Sequence, residues 1–234
     1  VNVRFENNKA TNGSGGAVWA QGSNNLTVDR AFFLGNSASN QGGAIFFWGS
    51  TANIKNSVFA NNASGGAGAA LVANKATGNL TILSNTVTDA FKNPKEALSL
   101  NGSATIQNNI FHNFKSGLTA TGGTAVSVSE DYNLFAANDV DPQGFNNTVI
   151  TRGGHSRIAA APRFVDPTTF NYHLQANSSA IDLGVAAGLA TDADGLARPF
   201  AGTGVDIGAY EYQGIGIPSV SIAKSGPPYI GSDG

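Results

Sequence analysis

The chain has 234 residues, 41% of them hydrophobic and only 12% charged, with 30 glycines, a formal net charge of -2, and neither cysteine nor methionine. That balance leaves no basic footprint for nucleic acid, excludes disulfides, and offers no apolar run of about 18 residues that could span a membrane. Charge at about half the usual share means the surface is built from Asn, Ser, Thr and Gly, which favour turns.

From its first residues the chain repeats itself. An aromatic is followed by asparagine three places later at Phe5 and Asn8, Phe33 and Asn36, Phe59 and Asn62, and Phe135 and Asn138. Val87 and Phe111 fill the gap less faithfully, with Asn113 one place early, and the steps are 28, 26, 28, 24 and 24 residues. An aliphatic residue stands five places before the aromatic at Val28, Ile54, Ile82 and Ile106. Gly15-Gly16-Ala17, Gly42-Gly43-Ala44 and Gly68-Ala69-Ala70 each precede an apolar pair or triplet, Val18-Trp19, Ile45-Phe46-Phe47 and Leu71-Val72.

Self-similarity at this period means stacked repeats. The short β-branched and aromatic segments between Gly, Asn and Ser clusters read as strands, not helices. An all-β, single-stranded parallel β-helix is expected over residues 1–138, each coil about 4.8 Å above the last. Its Asn column would bond amide to amide and take the left-handed turn conformation.

Further along, Asp89 to Glu96 is a charged excursion in which Pro94 argues against a continuous strand. Gly122-Gly123 and Ala125 to Val128 give another strand, and Tyr132-Asn133-Leu134-Phe135 closes the countable repeats. Residues 139–160 read as irregular and 161–213 as a compact ending, so 139–213 is expected to form a loop-rich C-terminal cap. Residues 214–234 form a linker and strand-like tail. Val1 falls inside the first coil, so the chain reads as part of a longer or processed one.

The ending carries a resemblance. Ala161-Pro162-Arg163-Phe164-Val165-Asp166-Pro167, Tyr172-His173-Leu174-Gln175, Ser178 to Gly184, Asp192 to Pro199 and Val205 to Glu211, with the upstream Tyr132 to Phe135, resemble the closing portion of bacterial choice-of-anchor Q surface proteins. Those belong to the pectin-lyase-like superfamily, which implies a right-handed β-helix and an extracellular, cell-surface location. The coils are similar, more loosely, to repeats of polymorphic outer-membrane proteins. Val220 to Pro228 resembles the opening strand of an immunoglobulin-like surface repeat.

Candidate chemistry is sparse. Asp29 and Asp131 share a column but lie about 19 Å apart over four rungs, too far for paired carboxyl catalysis. Asp29 and Lys55 are expected to form a surface ion pair. Asp89 and His112 fall on adjacent columns and are expected to touch as a solvated turn contact. Asp182, Asp192, Asp194, Asp206 and Glu211 are read as turn and ion-pair residues with Arg198 as a partner. Asp192-x-Asp194-Gly195 looks like a calcium-loop fragment, yet Thr203 holds the twelfth place where an acid would stand. No cofactor or metal is therefore predicted, although Asp192 and Asp194 are where a structural calcium would sit. His155 and His173 have no zinc-ligand spacing.

Sequons at Asn12, Asn25, Asn62, Asn79, Asn101, Asn146 and Asn177 follow mostly from turn composition. Trp19 and Trp48 are the candidate glycan or partner face, with Trp19 in the column of Phe46. Val1, Val3 and Phe5 at the open first rung, and Val220 and Ile222 in the tail, are the candidate self-assembly residues. The expected function is a non-enzymatic extracellular structural or adhesive β-solenoid that stacks in a fibre or array or donates a strand. A carbohydrate-binding module is the alternative, followed by a polysaccharide lyase or glycoside hydrolase.

Overall fold

The computed structural model describes residues 3–74, 78–122, 126–140, 142–202 and 204–214. Val1, Val220 and Ile222 lie outside them. The chain winds into a right-handed parallel solenoid of about six turns. No helix among the described residues is long and apolar enough to cross a membrane.

Every turn repeats the same strips of strand. The phenylalanine strip comprises Val3–Glu6, Ala31–Leu34, Val58–Ala60, the starts of Thr86–Asn101 and Ile110–Thr121, and Leu134–Ala136. Its pairing places Phe5, Phe33, Phe59, Val87, Phe111 and Phe135 in one column. The rings stack at 4.8, 4.7 and 5.2 Å wherever phenylalanines are adjacent. Val87 and Phe111 keep full register despite their looser spelling. Val28, Ile54, Ile82 and Ile106 form the second interior column. The glycine column makes a bend before the third strip: Gly42 has φ +63, and a Cβ there would lie 2.2 Å from the Ile45 carbonyl oxygen.

Asparagine ladders clamp the turns together. In the expected one, Asn8 Nδ2 donates to Asn36 Oδ1 at 2.9 Å and Asn36 Nδ2 to Asn62 Oδ1 at 3.0 Å. A second joins Asn85, Asn109 and Asn133, again at 3.0 Å per step. One expectation is corrected. The ladder asparagines do not adopt the left-handed conformation; the residue before each does, at Asn7, Gly35, Asn61, Ser84, Asn108 and Tyr132. The preceding residue makes the bend, which leaves the amide buried against its neighbours.

Two further expectations change. Strand Thr86–Asn101 runs through Pro94, because its register breaks between Thr88 and Asn93 and again between Asn93 and Glu96, so the proline needs no ladder partner. Past Asn138, Gln143–Gly144, Val149–Arg152 and Arg157–Ile158 pair in parallel with the turn before them. The stack therefore gains another rung where the period fades.

The ending does not sit over the end of the stack. Residues 161–214 open with an antiparallel hairpin, Phe164–Asp166 with Asn171–Leu174, and pack along the outer side of the phenylalanine strip. Leu34, Val58, Ile110 and Leu134 from that face bury Tyr172, Leu174, Ile207 and Tyr210. Asn56 Nδ2 donates to Thr191 O at 3.1 Å, Asn108 Nδ2 to Val185 O at 2.7 Å, and Ala209 N to Thr86 Oγ1 at 3.0 Å. This flank is a lateral clasp across several turns, which corrects the expected cap.

Candidate functional site

On the third strip, side chains alternate in and out as a strand requires. Ile45 and Phe47 enter the core, whereas Phe46 and Trp48 face outward. Register sets Trp19 beside Phe46 and Gln21 beside Trp48. With Asn12 and Ser14 from the preceding turn, these four side chains line an open hollow of about 460 Å³. Trp19 is 62% exposed.

The same face continues down the stack. Phe46 is in register with Val72, Val72 with Ser99, Ser99 with Thr119 and Thr119 with Gln143. A second hollow of about 110 Å³ holds Asn74, Asn101 and Thr121, and a third of about 230 Å³ holds Glu96, Lys115, Gln143 and Phe145. Trp19 and Gln143 are five rungs apart, about 24 Å. Among the described residues Glu96 is the one carboxylate lining these hollows, and its Oε1 accepts from Gly68 N at 3.1 Å. The sequence singles out the two tryptophans; Asn12 and Ser14 are legible there only as a sequon.

The other candidates separate. Asp29 and Lys55 do pair, at 3.5 Å, and Asp29 shares a column with Asp131 through Lys55, Leu83 and Gln107. Asp89 and His112 do not meet through their side chains as expected. The Asp89 carboxylate accepts from Asn93 Nδ2 at 2.8 Å, while His112 Nδ1 shares a hydrogen bond with Thr88 Oγ1 at 3.0 Å. Burial raises the Asp89 carboxyl and lowers His112, the latter helped by Lys92. Asp131 meets His155 at 3.0 Å and Asp194 meets His173 at 2.6 Å. Val3 and Phe5 stand at the first rung, where strand Val3–Glu6 pairs on one side with Ala31–Leu34.

Of the acidic set, Asp192, Asp206 and Glu211 are buried within the flank, whereas Asp182 and Asp194 are exposed. Asp192 Oδ1 accepts from Asp194 N and Leu196 N, and Oδ2 accepts from Glu211 N. Asp192 and Asp194 thus turn to different partners, and among the described residues no three carboxylate or imidazole side chains converge as a metal's donors. Arg198 sits amid Asp192, Asp206 and Glu211. It donates to Asp206 O and Gly208 O at 3.0 Å each, with Nε 3.4 Å from Glu211 Oε2.

Three acids around one guanidinium leave excess negative charge. Burial pushes the Glu211 carboxyl up from 4.5 to about 7; Arg198 opposes this and Asp206 adds to it. A raised acid holds its proton in the folded chain when the unfolded chain has released it. Its stabilising contribution is therefore complete below pH 4.5 and is lost as pH rises to about 7. Relative to the intrinsic rise of amide exchange with pH, protection in residues 161–214 is expected to fall over that interval, and Glu211→Gln to flatten the dependence. An unchanged slope in Glu211→Gln would assign the dependence to another group.

A search of curated proteins finds no match. The family model for a right-handed β-helix region matches residues 1–133. Parallel register, stacked interior columns and this match together establish that the chain belongs to the right-handed β-helix family.

Proposed function

We propose that the chain is a non-enzymatic, extracellular adhesive β-solenoid that holds a saccharide against the Trp19, Phe46 and Trp48 face. The observation that carries this reading is the open aromatic hollow, in which two indoles stand among the amides of Asn12 and Gln21. Aromatic faces offer flat apolar area with a polar edge, and such concave sites use a few polar groups to orient a ligand. Sugar rings present that pairing of C–H faces and hydroxyls. Binding without turnover is favoured because, among the described residues, Glu96 is the one carboxylate lining the three hollows of this face, whereas glycoside cleavage usually takes two carboxyls about 5 to 10 Å apart. The resemblance to choice-of-anchor Q surface proteins supports placement outside the cell.

A glycan array followed by calorimetry tests this. Trp19→Ala and Trp48→Ala are each expected to weaken the best ligand about tenfold, roughly 1.4 kcal/mol, with no new reducing ends or unsaturated products from the native protein. Failure to bind any glycan, or full affinity in both variants, would refute the reading; product formation would make the chain an enzyme.

A second reading rests on the edge of the first rung. Among the described residues, strands Val3–Glu6, Lys9–Ala10 and Val18–Asp29 each pair on one side, and a sheet edge of this kind is a template for a further strand, whichever polypeptide supplies it. Self-association through that edge would appear as concentration-dependent sedimentation abolished by Arg4→Pro.

A further inference from the structure

We infer that the opposite end of the solenoid is a built stop, at which the Glu130–Arg152 pair keeps another rung, from this or a second copy, from joining the stack. The column Val28, Ile54, Ile82, Ile106 continues in register into Glu130 and then Arg152. An apolar interior column thus ends in an acid and a base. The Glu130 side chain is fully buried, with Oε1 accepting from Arg152 Nε at 2.7 Å and Oε2 from Ser156 Oγ at 2.6 Å and Asn133 Nδ2 at 3.0 Å. Asn133 ends the second ladder, so the carboxylate takes the amide bond that a further asparagine would have received. The Arg152 guanidinium carbon lies 5.7 Å from the centre of the Phe135 ring, and its side chain is 31% exposed.

The surrounding surface would otherwise invite association. Val149 and Ile158 are 68% and 51% exposed, and Phe135, Val140 and Ile158 border a hollow of about 260 Å³. Two features oppose it. A new rung would strip the remaining water from Arg152, and dehydrating an ion pair costs more than its attraction returns unless new bonds form. A second copy stacked in register would also set Arg152 on Val28 and Arg157 on Arg4, because each pair occupies one column. Inward charges and short edge strands are known protections of exposed sheet edges, and the last strands have 2, 4 and 2 residues. This end of the solenoid is thereby closed to a further rung, which rules against head-to-tail fibres.

The test restores the column with Glu130→Ile and Arg152→Val together. Because the chain has no cysteine, Val149→Cys carries a spin label that reports contacts at this end. The restored variant, folded by circular dichroism, is expected to associate at concentrations roughly tenfold lower than the parent, with loss of label mobility. Ser129→Ile with Thr151→Val places equal apolar bulk on the outer face of the same strands and is expected to behave as the parent. Should the restored column not fold, Glu130→Gln with Arg152→Leu keeps acceptors for Asn133 and Ser156 and replaces it. A folded variant as dissociated as the parent, or a parent whose label is already immobilised by association at this end, overturns the inference.

Discussion

Arg198→Met is expected to cost about 3 to 5 kcal/mol of stability, lost from residues 161–214 before the coils. The guanidinium is buried with Asp192, Asp206 and Glu211, and it donates to two backbone carbonyls. Removing it leaves three carboxylates without the cation that offsets their burial, and the carbonyls of Asp206 and Gly208 without donors. Arg198→Lys keeps the charge but not the fork, so an intermediate loss is expected. Denaturant unfolding with residue-resolved hydrogen exchange reads both the size and the place. A loss below about 1 kcal/mol, or one spread evenly over the coils, would mean the cluster does not hold the flank.

Asn109→Leu should be comparably severe, at about 4 kcal/mol or more. Its amide donates to Ile82 O and Gln107 O at 2.8 Å and to Asn133 Oδ1 at 3.0 Å, and its oxygen accepts from both the backbone and the side chain of Asn85. Leucine fits the volume but orphans these partners in a site with no water access. The same change at exposed Asn8, which bonds Asn36 at the edge of the other ladder, is expected to cost about 1 kcal/mol or less. Equal losses at both positions would refute the ladder's role as an interior clamp.

The two interior columns were legible because a solenoid writes each rung at nearly constant spacing, so Phe33 and Phe59 or Ile54 and Ile82 declare their neighbours in the sequence. The second ladder was harder to see, since Asn85, Asn109 and Asn133 precede the aromatic instead of following it. Glu130 was visible in principle, as the residue five places before Phe135 where every earlier rung has an aliphatic. It escapes notice because an acid looks like the end of a pattern when it is a member of one. The lateral course of residues 161–214 was not legible. Nothing in Ile207 or Tyr210 names the outward face of Val58 and Ile110 as partner, since such contacts join segments with no shared period. In the candidate site, Trp19 and Trp48 stood out by rarity, whereas Asn12 and Gln21 acquire meaning only when rung register brings them beside the indoles.

The lateral clasp has a mechanical consequence. Tension along the solenoid axis loads the bonds between successive turns in series, so the weakest junction yields first and the rest can peel one at a time. The flank bridges turns at Asn56, Thr86 and Asn108, which places it in parallel with those junctions, as a splint. Force must strip the splint before the turns beneath it can part, so resistance to stretching should depend on Arg198 far more than on any single rung.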